Sequence, residues 1–149
     1  MKNKTLQVCI AIIIAIFPSC TSKQEKMENR MREFISAYEE KVIPLYRQAN
    51  LASWEANISG TDEDWAKSEK ASLELAKVYT DKTAFNELKT LKESGLVKDS
   101  LLARQLELLY NSYLGGQVDP EMLAEQIRME TEISKKYSNF RAKVNGKEL

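Results

Sequence analysis

Beyond Lys26 the apolar residues recur at spacings of three and four along almost the whole chain, and no stretch shows sustained alternation of apolar with polar residues over the length of a long strand. This pattern predicts helices and no strands. From Lys23 to about Asn57, Met27, Met31, Phe34, Ile35, Tyr38, Val42, Leu45, Tyr46 and Ala49 fall on one helical face, which Ala52 and Trp54 continue until Ser59-Gly60 ends it. Pro44 lies inside this helix and removes a backbone donor, which predicts a kink or local break near Lys41 to Pro44.

Thr61 or Asp62 caps the next helix, and Glu63 and Asp64 place negative charge in its first turn, where the helix dipole favours it. Trp65, Ser68, Ser72, Leu75, Ala76 and Tyr79 keep helical spacing. Thr80-Asp81 then offers a second cap before Phe85, Leu88 and Leu91, so the stretch up to Ser94-Gly95 is either one long bent helix or two stacked segments. A third helical stretch starts at Asp99 or Ser100, carries Leu101, Leu102, Leu106, Leu109, Tyr110 and Tyr113, and stops at Gly115-Gly116. The fourth has Asp119 as cap, Pro120 in the first helical position and Gly146 after a last turn near Lys143. The fold class these signals predict is all-α, a bundle of about four to five kinked helices.

Ahead of the helices, Lys2 and Lys4 precede an unbroken apolar run of ten residues from Val8 to Phe17, followed by Pro18, Ser19, Cys20 and a polar stretch to Lys26. At 1.5 Å per residue the run spans roughly half of a ~30 Å hydrocarbon core, too little for a spanning helix. It predicts a secretion signal over residues 1–19 that is removed. The junction Phe17-Pro18-Ser19-Cys20 resembles the cleavage site of Bacteroidetes-type lipoproteins. That resemblance implies lipid on Cys20, a tether over residues 20–26, and a helical domain over 27–149 held in the bacterial cell envelope, periplasmic or surface-facing. Two or more acyl chains on Cys20 would give stable attachment, since one is marginal. The alternative is an ordinary signal peptide with an incidental cysteine.

Cleavage before Cys20 leaves 130 of the 149 residues, enough for one compact domain. Its 20 basic and 22 acidic side chains are interspersed and sum to −2, which argues against a nucleic-acid partner. Cys9 leaves with the signal and Cys20 carries lipid, so no intrachain disulfide is expected. There is no histidine, which removes the commonest general base and metal ligand and with them any nucleophile-histidine couple.

The remaining candidates for chemistry are sparse. Glu39-Glu40, Glu69 with Glu74, and Glu125 with Glu130 are carboxylate pairs, but adjacent helical residues point about 100° apart and glutamates mixed with lysines form solvated faces. Asp62-Glu63-Asp64 lacks the alternating ligands, central glycine and closing glutamate of a calcium loop. Trp54 and Trp65, with Tyr46 and Tyr79, are candidates for an aromatic groove that takes peptide or sugar, against the alternative that they glue helices together. Asn57-Ile58-Ser59 matches a eukaryotic glycan acceptor in a chain whose leader is bacterial. Asp99-Ser100-Leu101 resembles the acceptor for O-linked glycans on Bacteroidetes envelope proteins, which would place a sugar on Ser100; helix capping explains the same residues.

The segment from Val42 through Val78, above all the run from Leu45 to Thr61, is similar to the N-terminal helices of angiotensin-converting-enzyme-like zinc dipeptidases and their oligopeptidase relatives. In that family an alanine-rich helix bearing a tryptophan and an asparagine leads through a short turn into a second helix of alternating alanines and lysines. Leu106 to Tyr110, Glu130-Thr131-Glu132 and Arg141 to Gly146 fit more loosely. The resemblance implies helices that form part of a lid over a deep substrate channel. The family binds zinc through His-Glu-x-x-His and a downstream glutamate, and no residue of this chain matches those ligands.

The expectation is therefore an envelope lipoprotein that resembles the lid portion of a zinc dipeptidase, has no cofactor of its own and is inactive alone. Its partners would be the membrane, through Cys20, and the rest of a peptidase or another envelope protein. The alternative is a stand-alone helical lipoprotein module that binds protein or peptide. Orphaned lid helices would leave apolar faces uncovered, whereas a self-contained module would bury them.

Overall fold

The computed structural model of the protein describes residues 22–148, so the signal segment, Cys9 and the lipidation candidate Cys20 lie outside the described residues. Among the described residues five α-helices follow one another: α1 (Lys23–Ser59), α2 (Asp62–Ala76), α3 (Lys82–Ser94), α4 (Ser100–Gly115) and α5 (Pro120–Ser138). A single 3₁₀ segment, Lys77–Thr80, joins α2 to α3. The all-α prediction holds, and the stretch from Asp62 to Ser94 is two helices joined by the 3₁₀ segment rather than one long helix. Helix α1 begins inside the expected tether: the Ser22 hydroxyl accepts the Glu25 N–H at 3.0 Å, so residues 23–26 are already helical.

Short polar signals start and stop these helices. Thr61, Asp81, Asp99 and Asp119 each accept an N–H of the first turn through their side chains, closing donors that the helix itself leaves open. Gly60 and Gly95 end α1 and α3 in the left-handed conformation, with φ of 67° and 61°, a region where a Cβ is strained.

Two expectations are corrected. Pro44 does not break α1, which stays helical across all 37 residues. Proline there deprives the Glu40 carbonyl of its partner, and both residues are exposed, so water can take the vacated bond. Helix α5 ends at Ser138 instead of near Lys143, and a small hairpin follows in which Lys143–Val144 pairs antiparallel with Lys147–Glu148. Its turn is Asn145-Gly146, both at positive φ (51° and 78°), the backbone that lets two strands reverse without splaying.

The main core lies where the N-terminal half of α1 meets the 3₁₀ segment, α3 and α4. Met31, Val78, Leu88, Leu91, Leu102, Leu106 and Tyr113 are buried there together. A fully buried leucine such as Leu88 contributes about 1.5–3 kcal/mol relative to exposure. An aromatic knot closes one end: Tyr113 meets Phe34 and Tyr79 edge-on at 6.0 and 5.4 Å, and the hydroxyls of Tyr38 and Tyr79 are 2.8 Å apart. Burial pushes the Tyr38 phenol above its ordinary range and Tyr113 up to about 12, so both stay neutral structural groups.

The C-terminal half of α1 pairs with α2 through small buried residues, Ala49, Ala56, Ser68 and Ala71, and α5 packs against α2 as well. The end of α5 is pinned to the α1–α2 turn. Ser138 Oγ donates to Asn57 Oδ1 at 2.5 Å, Asn139 Nδ2 donates to the Gly60 carbonyl at 3.0 Å, and Lys135 pairs with Asp62 at 2.6 Å.

Candidate functional site

A cleft of about 480 Å³ lies between α1 and α2. Pro44, Arg47, Gln48, Leu51, Ala52 and Glu55 line it from α1, and Lys67 and Ala71 line it from α2. Spacings of three and four bring those α1 residues to one side of the helix. Pro44, Leu51, Ala52 and Ala71 give the cleft an apolar floor, while Arg47, Gln48, Glu55 and Lys67 give it a polar rim.

Lys67 on this rim is held by Asp64 and Glu63, each at 3.0 Å, and the Asp64 hydrogen bond is the main reason its pKa rises to about 12. The hydroxyl of Ser59, the Lys67 ammonium and the Thr61 hydroxyl in turn hold the Asp64 carboxyl down to about 2. Both groups are locked in their charged forms at neutral pH, which suits a rim that orients a ligand and not one that moves protons.

Beside the cleft, Ile43, Leu51, Trp54 and Ile58 are exposed on the outer side of α1, away from the buried Val42, Ala49 and Ala56. Trp54 is 67% and Ile58 71% exposed. Leu51 belongs to both features, so cleft and stripe form one continuous apolar surface.

The structure separates the two tryptophans proposed for an aromatic groove. Trp65 is only 3% exposed, and its Nε1–H is buried with no hydrogen-bond partner among the described residues. It borders a smaller cavity of about 150 Å³ with Ser53, Ser68, Ser72, Thr131 and Ser134, a cavity that Trp54 does not line. Tyr46 and Tyr79 line an adjoining hollow with Ala49, Ser72 and Ile127. Trp65 thus does the helix-packing work, and of the two tryptophans Trp54 is the one exposed to meet a partner. Sequence reasoning missed Ile43, Leu51 and Ile58. Their signal was present, since these apolar residues fall off the face defined by Met31, Val42 and Ala49.

Two of the candidate carboxylates are engaged in ion pairs with basic neighbours. Glu74 is bonded to Lys77 at 2.8 Å, and Glu125 to Arg128 at 2.6 Å. Zinc, implied by the peptidase resemblance, finds no ligand set. The chain has no histidine, and among the described residues no group of three or more His, Cys, Asp or Glu converges. Asp99 caps α4 by accepting the Leu102 N–H at 2.9 Å, and Ser100 is exposed beside it. Among the described residues no helix is long and apolar enough to cross a membrane.

The segment likened to the peptidase lid, Val42 through Val78, forms a helical hairpin through the Gly60-Thr61 turn. That arrangement is common to many unrelated helical proteins, and it identifies no activity. No protein-family model, no curated protein and no solved structure matches the chain.

Proposed function

We propose that this protein is a non-catalytic binding module of the bacterial cell envelope, tethered through lipid on Cys20, which docks an apolar segment of a partner protein on α1. One observation carries the reading: Ile43, Leu51, Trp54 and Ile58 stand exposed beside an apolar-floored cleft, on the side of α1 away from its buried residues Val42, Ala49 and Ala56. A partner helix laid along the stripe would bury these side chains, with Arg47, Gln48, Glu55 and Lys67 fixing its register.

The likeness to a peptidase lid gives this reading a more specific form, in which the occupant is the catalytic part of a zinc dipeptidase. Uncovered apolar residues are what that form requires as well, so the two differ only in what covers α1. Either way, this chain supplies a surface and no hydrolysis.

A photocrosslinking amino acid placed at Trp54 or Ile58 in the living cell should give a discrete adduct, and one placed at Lys89, exposed on α3, should not. Mass spectrometry of the adduct separates the forms, since a zinc peptidase polypeptide supports the lid and another envelope protein supports the module. Absence of any adduct at both positions would falsify a docking role for α1. Cys20→Ser should release the chain from the membrane fraction, and an unchanged distribution would remove the lipid tether from the proposal.

A further inference from the structure

Charge is not evenly spread along the described chain. Residues 22–132 carry 15 basic and 21 acidic side chains, a net of −6, whereas residues 133–148 carry five basic ones and one acidic, a net of +4. Lys135 is matched by Asp62. Lys136, Arg141, Lys143 and Lys147 are exposed, and none has an acidic partner among the described residues. Among these cations stand four exposed apolar or aromatic side chains: Ile133, Tyr137, Phe140 and Val144, with Tyr137 at 86% exposure.

From this combination we infer that the C-terminal end of α5 and the hairpin after it form a second membrane contact, one that recognises anionic phospholipid headgroups. Positive charge alone would suit any polyanion, and apolar exposure alone any hydrophobic partner. The two interleaved match an interface where phosphates lie above acyl chains, with the cations meeting headgroups and Tyr137 and Phe140 entering the boundary region.

The position of the patch gives the contact a purpose. Ser138 and Asn139 hold it against Asn57 and Gly60, at the opposite end of α1 from Ser22. At 1.5 Å per residue, the 37 residues of α1 separate the two ends by about 55 Å. A chain tethered before Ser22 and touching lipid at Phe140 has its long helix laid along the membrane instead of projecting from it. The contact itself needs no lipid on Cys20, so it stands or falls separately from the docking role of α1.

The test is sedimentation of residues 21–149, which carry neither the signal nor the lipid on Cys20, with vesicles of phosphatidylcholine alone and of phosphatidylcholine containing phosphatidylglycerol, at low and at high salt. Binding should favour the anionic vesicles and weaken with salt. Replacing Lys136, Arg141, Lys143 and Lys147 by Gln should reduce that binding by several hundredfold, at roughly fivefold per cation. A control that neutralises Lys26, Lys70, Lys82 and Lys98 removes the same charge and should leave most of the affinity. Tyr137→Ser with Phe140→Ser should weaken vesicle binding while circular dichroism stays unchanged. Equal binding to both vesicle types, or equal losses in the two four-site variants, overturns the inference. So does salt-sensitive binding to a soluble acidic polysaccharide as tight as to vesicles and indifferent to Tyr137 and Phe140.

Discussion

Gly116 sits against the backbone of Tyr79 so closely that a Cβ on it would lie 2.4 Å from the Tyr79 carbonyl oxygen. The neighbouring Gln117 confirms the contact in hydrogen bonds, donating through Nε2 to the carbonyls of Tyr79 and Tyr113 at 3.0 Å each. The end of α4 is thereby fastened to the 3₁₀ segment between α2 and α3, and through Tyr79 to the aromatic knot. Gly116→Ala should destabilise the protein by about 1–3 kcal/mol, because backbone atoms, not a flexible side chain, must move. Gly115 has open space where its Cβ would be, so Gly115→Ala should be neutral or stabilising by up to about 1 kcal/mol. Urea denaturation of the two variants checks this, and equal midpoints would contradict the close approach.

Glu28 joins α1 to the start of α4 by accepting the backbone N–H of Lys98 at 3.1 Å and of Asp99 at 3.0 Å. A hydrogen bond from Gln24, followed by those two amides, lowers its pKa below the ordinary 4.5. A carboxyl with a lowered native pKa adds stability that is fully present above its unfolded value and is lost as pH falls through the native one. Glu28→Gln should therefore be less stable than the natural protein at pH 7, with the gap narrowing once the pH drops below about 4.5. Urea midpoints of both proteins across that range measure it; a gap that stays constant down to pH 3 would show that the charge is not the source.

The two tryptophans should be optically distinct. With Trp65 buried and Trp54 largely exposed, Trp54→Phe should leave blue-shifted emission that acrylamide quenches poorly, and Trp65→Phe should leave red-shifted, readily quenched emission. Unfolding shifts should follow Trp65 alone. Similar spectra for the two variants would place both indoles in one environment and restore the aromatic groove.

Helix starts and stops were legible in the sequence because each is settled within a few residues. Asp99 reaches the Leu102 amide, Asp119 those of Glu121 and Met122, and Gly60 and Gly95 take a backbone that other residues resist. The Asn145-Gly146 turn is equally local, but two-residue strands are too short to leave an alternating pattern, so the hairpin was missed.

What no local rule reaches is which side of a helix its distant neighbours cover. Trp54 and Trp65 have the same chemistry and both lie in helices that pair with each other, yet one is exposed and the other sealed against Ser68 and the α5 side. Pro44 is tolerated because solvent borders Glu40, and the basic end of α5 becomes a patch because Asn57 and Gly60 hold it in place. The sequence by itself determined the helices, through bonds that close over three or four residues. Only the tertiary structure decided the exposed surface, because burial depends on contacts between segments tens of residues apart.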